Sequence, residues 1–145
     1  GKCKIGLEST IIDLTKKPKI LRLGGLEISK LKKILGKSIK ININPNKEFS
    51  PGQSKLHYSP GIPLRMNIKK PKKDEAFILL KRNKNTYSNY FYLSKKNDLN
   101  EAGKNLYSLL RKIKNKGYKS IAVEKIQNYG IGQTINDRLK RASKF

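Results

Sequence analysis

Runs of aliphatic and β-branched residues bounded by glycine and proline open the chain. GLESTIIDLT and KILRLGG both have the density of strands, and the lysine-proline turn at Pro18 predicts that the two pair. The spacing then changes. In ISKLKKILG, Ile28, Leu31, Ile34 and Leu35 fall on one helical face, and Gly36 offers a left-handed stop. KSIKININPNKEF begins as a strand, after which asparagine, proline, glycine and serine dominate to about Pro71, the composition of an interdomain linker. Beyond the lysine-rich KKPKKDE, AFILLK and YSNYFYLSK are apolar runs of strand length. A long helix is expected next, with Asp98 as N-cap and Glu101 completing a capping box. Its core stripe is Leu99, Ala102, Leu106, Leu109, Leu110 and Ile113, and it ends at Gly117. SIAVEKI reads as a compact strand, and YGIGQTINDRLKRAS as a glycine turn entering an amphipathic helix through Ile135, Leu139 and Ala142. Strand, helix, strand, helix in that order predicts a small α/β unit with a parallel sheet over residues 74–145, preceded by a linker at 45–73 and a separate strand-and-helix element at 1–44.

Length and charge narrow this further. With 145 residues, the chain holds one modest domain, or one small domain and part of another. Lys and Arg number 34 against 10 Asp and Glu, a formal charge of +24, and a field of that size draws nucleic acid or anionic surfaces. Lysine supplies most of it, beside abundant asparagine and isoleucine, a mixture that an AT-rich genome produces without selection for binding. A dedicated nucleic-acid reader shows more arginine and more exposed aromatics. A solvated basic surface that could touch RNA is therefore expected, and no membrane. Cys3 stands alone, so the chain can form no internal disulfide or CxxC metal pair, and a reducing cytoplasm is the expected setting. No apolar run approaches the ~18 residues of a membrane span. The chain opens GKCKIGLEST and has Met66 as its only methionine, which reads as a piece of something longer.

Several residues could carry chemistry. Glu8, Ser9, Thr10 and Asp13 set carboxylates and hydroxyls around a strand, to serve a polar ligand or to satisfy the end of a sheet. Arg22, within the otherwise apolar KILRLGG, needs an anionic partner, either a structural carboxylate or a ligand phosphate. GIGQ at 130–133 could hold a phosphate at a helix N-terminus, but one GxG is a weak signal and tight strand-to-helix packing explains it better. Asp137 and Arg138 could form an ion pair or cap contacts. His57, the one histidine, and Tyr58 sit in SPGQSKLHYSPGIPL, a proline-held loop that could fold back as a lid. No metal site is expected, and these residues by themselves identify no catalytic group.

Four stretches taken together resemble the two-domain threonylcarbamoyl-AMP synthases, in which a YrdC-like catalytic domain is joined by a long linker to a smaller Rossmann-like domain. GLESTIIDLT is similar to that family's G-x-E-S-T-V-V-D strand, and ILRLGGLEISKLKKILG to its I-L-R-P-G-G strand, turn and helix. SPGQSKLHYSPGIPL resembles the linker signature S-P-G…H-Y-A-P…P-L, and IAVEKIQNYGIGQTINDRLKRAS the ending A-E…G-x-G-x-A-I-x-D-R-L-x-R-A-A. Leu23 stands in place of the usual proline, Ser59 in place of alanine, and Leu56 where many members have a basic residue. The resemblance implies that residues 1–44 are the closing edge of the catalytic domain, 45–73 the linker and 74–145 the Rossmann-like domain. It implies condensation of L-threonine, bicarbonate and ATP, with magnesium, into threonylcarbamoyl-AMP and pyrophosphate, the product passing to a tRNA threonylcarbamoyl transferase complex. Ser9 would contact threonine, Arg22 and Tyr58 the ATP, with Thr10 and His57 in support. The family's N-terminal catalytic strands have no counterpart here, so this chain alone is expected to be inactive. The alternative from another class is a basic module that binds tRNA or protein without catalysis.

Overall fold

The structure, a computed structural model, describes residues 6–42, 58–84 and 87–143. Strands β1 (Ile11–Asp13) and β2 (Lys19–Arg22) pair antiparallel as expected, and helix α1 (Ile28–Leu35) returns the chain to β3 (Lys40–Ile41), which lies parallel to β2. The turn between β1 and β2 is secured where the Asp13 carboxylate accepts the amide N–H and hydroxyl of Thr15, at 2.9 and 2.7 Å. Ile20, Leu23, Ile28, Leu31 and Ile39 form a small core there. Ile34, placed by its spacing on the inner face of α1, is instead 77% exposed. A period of 3.6 carries positions 28, 31 and 35 inward and turns 34 outward.

The second sheet is all parallel, in the order β4–β7–β5–β6, from β4 (Leu64–Arg65), β5 (Ala76–Lys81), β6 (Tyr90–Ser94) and β7 (Ile121–Val123). Residues 64–65 fall within the stretch read from sequence as linker and pair with β7. Strand β5 shows why AFILLK is apolar at nearly every position: Ala76, Ile78 and Leu80 face the helices, while Phe77 and Leu79 pack with Ala122 on the opposite side. Helices α2 (Leu99–Asn115) and α3 (Ile131–Ala142) cover the first of these faces and bury Leu106, Ile113, Ile135 and Leu139 completely. Each such side chain contributes about 1.5–3 kcal/mol of transfer free energy. Among the described residues no helix is long and apolar enough to cross a membrane.

Helix α2 starts as predicted, Asp98 accepting the Asn100 amide at 2.7 Å, but the capping box does not close. Ser94, buried at the end of β6, takes the Asp98 amide at 2.8 Å and donates its hydroxyl to Glu101 at 2.6 Å, so Glu101 serves the end of the strand.

Glu75, just before β5, is 1% exposed and takes the Arg65 guanidinium in a fork at 3.1 and 2.6 Å, with the Lys72 amide at 2.9 Å. The Arg65 bonds hold its carboxyl below the ordinary value of 4.5, with burial opposing and the Lys72 amide assisting. Because the folded pKa lies below the unfolded one, the stabilisation is complete above the unfolded pKa and is lost as pH falls through the folded value. Urea unfolding from pH 7 to pH 3 should therefore show the stability gap between wild type and Glu75→Gln narrowing in acid; a gap constant with pH would refute the linkage.

Candidate functional site

Residues 6–10 run from the first sheet onto the helices of the second. Gly6 passes so close to α2 that a Cβ there would lie 2.4 Å from the Lys104 Cα, and Leu7 enters the main core against Gly103. Gly103 lets this segment lie flat on the helix, because a Cβ would sit 2.9 Å from the Leu7 side chain.

Glu8 then meets three elements. Its carboxylate receives Arg138 Nε at 3.1 Å and the Tyr107 hydroxyl at 3.2 Å, and its carbonyl accepts the Gly25 amide at 2.9 Å. The Arg138 side chain is 1% exposed; it donates onward to the Leu23 carbonyl at 2.6 Å and pairs with Asp137, which Arg141 also reaches at 3.2 Å. Tyr58 lies under Arg138, the guanidinium carbon 4.8 Å from its ring centroid, and stacks on Tyr107 at 5.5 Å and 15°. Burial disfavours a charged Glu8, but the Arg138 charge together with hydrogen bonds from the backbone, Arg138 and Tyr58 outweighs it and holds the carboxyl below its usual value. Burial raises the Tyr58 phenol to about 12, with the Glu8 charge adding and the Arg138 and Arg22 charges opposing. Burial raises the Tyr107 phenol as well, so both rings remain protonated donors at neutral pH. Glu8, Tyr58 and Tyr107 line a groove of about 410 Å³ with Arg111 and Lys114 at its rim.

The neighbouring edge of the first sheet holds the residues singled out by sequence. Arg22 donates to the Ser9 carbonyl and to the Ser9 hydroxyl, both at 3.1 Å. Thr10 fixes the loop after β2, its hydroxyl donating to the Leu26 carbonyl at 3.2 Å and accepting the Leu26 amide at 3.3 Å. Arg22 is thus held on Ser9, while Thr10 braces the turn beside them and Tyr58 packs with Arg138 and Tyr107. His57 lies outside the described residues. Of the 130–133 glycines, Gly132 serves packing, since a Cβ there would sit 2.0 Å from the Gln127 carbonyl oxygen, and Gly130 serves the turn, with φ +51°. Asp137 and Arg138 do pair, as the sequence suggested. It missed that Arg138 also reaches Glu8, and it missed Tyr107; the available signal was an arginine on the face of α3 that Ile131, Ile135 and Leu139 bury, which demands a carboxylate.

Residues 26–144 match the family described as threonylcarbamoyl-AMP synthase, C-terminal domain. The threonylcarbamoyl-AMP synthase of Pyrococcus abyssi (strain GE5 / Orsay) is 28% identical over 169 aligned residues, covering all of this chain and 48% of the relative. The crystal structure of P. abyssi Sua5 complexed with L-threonine superposes with a TM-score of 0.78 at 26% identity, over 97% of this chain and 46% of that one. A variant of that archaeal protein gives a TM-score of 0.72 at 24% identity, a likeness of fold. The chain spans about half the length of the relatives it matches.

Proposed function

The chain belongs to the family of threonylcarbamoyl-AMP synthase C-terminal domains, and from that premise we propose that it is the C-terminal part of an L-threonylcarbamoyladenylate synthase. The protein that carries it joins L-threonine and bicarbonate to the adenylyl group of ATP and releases pyrophosphate. One observation carries the assignment of residues: the Arg22 guanidinium is held on Ser9 at the sheet edge, with the Tyr58 phenol in its field. A fixed guanidinium suits the charge that builds on a pyrophosphate leaving group, because it needs no reorganisation when the bond breaks. In this reading Ser9, which accepts from Arg22, receives threonine and Tyr58 contacts the nucleotide, with Thr10 and His57 in support.

Among the described residues no three His, Cys, Asp or Glu side chains gather as a metal site. Magnesium arrives on the ATP phosphates in this reading, and no residue here is given a ligand role. The product passes in the cytoplasm to the transferase complex that modifies tRNA, and tRNA contact by the basic surface would weaken by roughly 0.7–0.9 log units per log of salt for each phosphate neutralised.

The test is pyrophosphate release by the protein that carries this chain. It should require both L-threonine and bicarbonate, fall about 100-fold in kcat/KM with Arg22→Ala, and fall about tenfold with Tyr58→Phe. Release without threonine or bicarbonate would refute the synthase reading, and wild-type kinetics in Arg22→Ala would remove Arg22 from the ATP site.

A further inference from the structure

Helix α3 turns two polar side chains toward the first sheet one helical turn apart, and both are buried, Thr134 at 3% and Arg138 at 1% exposure. Thr134 donates its hydroxyl to the Gly24 carbonyl. Arg138 sets each of its three guanidinium nitrogens on a different partner: Nε on the Glu8 carboxylate, one terminal nitrogen on the Leu23 carbonyl, and the other on Asp137, its neighbour in the helix. Glu8 immediately precedes Ser9, and Leu23 immediately follows Arg22. One planar group therefore spans the two segments where Arg22 reaches back to Ser9 at 3.1 Å, and the face of the same group lies over the Tyr58 ring.

An arginine is a costly way to join a helix to a sheet. Taking a charged pair out of water largely cancels its attraction, and apolar side chains of similar volume often hold such a contact as well or better. What the pair adds is direction. The donors of a guanidinium are fixed in one plane, so bonds to Glu8 and Leu23 set both the separation and the angle of their two segments, whereas a leucine would let them slide. Tyr107 completes the hold from α2, its hydroxyl donating to the same Glu8 carboxylate.

We propose that Arg138 is a positioning residue for the synthase chemistry: through Glu8 and Leu23 it fixes the geometry in which Ser9 and the Arg22 guanidinium meet threonine and ATP, with Thr134 as a second pin. This rests on the synthase reading above and gives the C-terminal helix a part in it. A displaced Arg22 still meets the ground-state phosphates through its long side chain. It no longer matches the charge that builds on departing pyrophosphate, so the loss falls on turnover and not on ATP binding.

The test compares Arg138→Lys, Thr134→Val and Leu139→Ala in the protein that carries this chain, at a temperature where thermal melting shows each to be folded. Arg138→Lys keeps a cation beside Glu8 but offers one nitrogen where three are used. It should lower kcat for pyrophosphate release about tenfold or more, and kcat/KM for ATP by the same factor, with KM for ATP within about twofold of wild type. Thr134→Val removes only the hydroxyl and should lower kcat about threefold. Leu139→Ala opens a cavity in the main core under the same helix and should melt lowest of the three, yet keep the wild-type kcat. A readout apart from activity is NMR of isotope-labelled arginine side chains: the Arg22 Nε–H, bonded to the Ser9 carbonyl, should lose protection from solvent exchange in Arg138→Lys and keep it in Leu139→Ala. Wild-type kcat or unchanged Arg22 protection in Arg138→Lys, a loss carried wholly by KM for ATP, or losses that follow melting temperature across the three variants would overturn the positioning role and leave the synthase reading intact. Release by the wild type that needs neither threonine nor bicarbonate would refute both. If Arg138→Lys does not fold, Thr134→Val against Leu139→Ala decides by the same measurements.

Discussion

Arg138→Ala is expected to lower the free energy of unfolding by about 3 kcal/mol, read from urea denaturation at neutral pH, with hydrogen exchange rising at Leu23–Leu26 and Thr10. Removing one member of a buried ion pair leaves the other charged in a poor solvent, at a cost of about 3–5 kcal/mol. The lower end applies because the Glu8 side chain retains 29% of its exposure and water can reach it. The substitution also takes the donor from the Leu23 carbonyl and the cation from the face of Tyr58. Adding Glu8→Gln should recover part of the loss, since the stranded charge is then gone; a double variant no better than the sum of its parts would show that Arg138 acts through packing alone. If Arg138→Ala melts like wild type, the tie between α3 and the first sheet contributes nothing.

Gly24→Ala should have a comparable effect on stability and a larger one on chemistry. A Cβ at this position would lie 2.2 Å from the Thr10 nitrogen, 2.3 Å from the Ser9 carbonyl carbon and 2.4 Å from the Glu8 oxygen. All three are backbone atoms and cannot swing aside. On its other flank the turn is pinned, because Thr134 donates to the Gly24 carbonyl at 2.9 Å and Arg138 to that of Leu23. The strain must therefore push residues 8–10 outward, carrying Ser9 away from Arg22. Overpacking of this kind costs about 1–3 kcal/mol or more, and a misplacement of about 1 Å in a reacting site can cost about 100-fold in rate. Pyrophosphate release in the protein that carries this chain should fall by that factor. Gly36→Ala is the control: φ is +91° but nothing lies within 4 Å, so only backbone strain of about 1–2 kcal/mol is expected and no loss of rate. Equal effects of the two substitutions would refute the steric account.

Much of the architecture was legible because burial writes itself into periodicity. AFILLK, the stripe of α2 and the inner face of α3 all appear where spacing placed them, and Arg22 stood out in an apolar strand because a cation there must find a partner. Ile34 was misplaced because a short helix leaves the edge of its apolar face ambiguous. The strand at Leu64–Arg65 is two residues long, too short for any period, and sits among prolines. The capping role of Glu101 went to the strand end because Ser94 offers a competing hydroxyl that helix spacing alone does not reveal. Glu8 and Arg138 were each visible, but their bond joins the two ends of the described chain and leaves no local trace.

That bond has a consequence for the order in which the molecule assembles. Its partners are 130 positions apart, and α3 is the last element of the described chain. Contacts between such distant positions must pay the loop-closure entropy before they return anything, so they form late. Until α3 docks, the Gly-Gly turn of the first sheet lacks the bonds from Thr134 and Arg138. The turn at Leu23 and Gly24, whose carbonyls accept from Arg138 and Thr134, is therefore fixed only once α3 has docked.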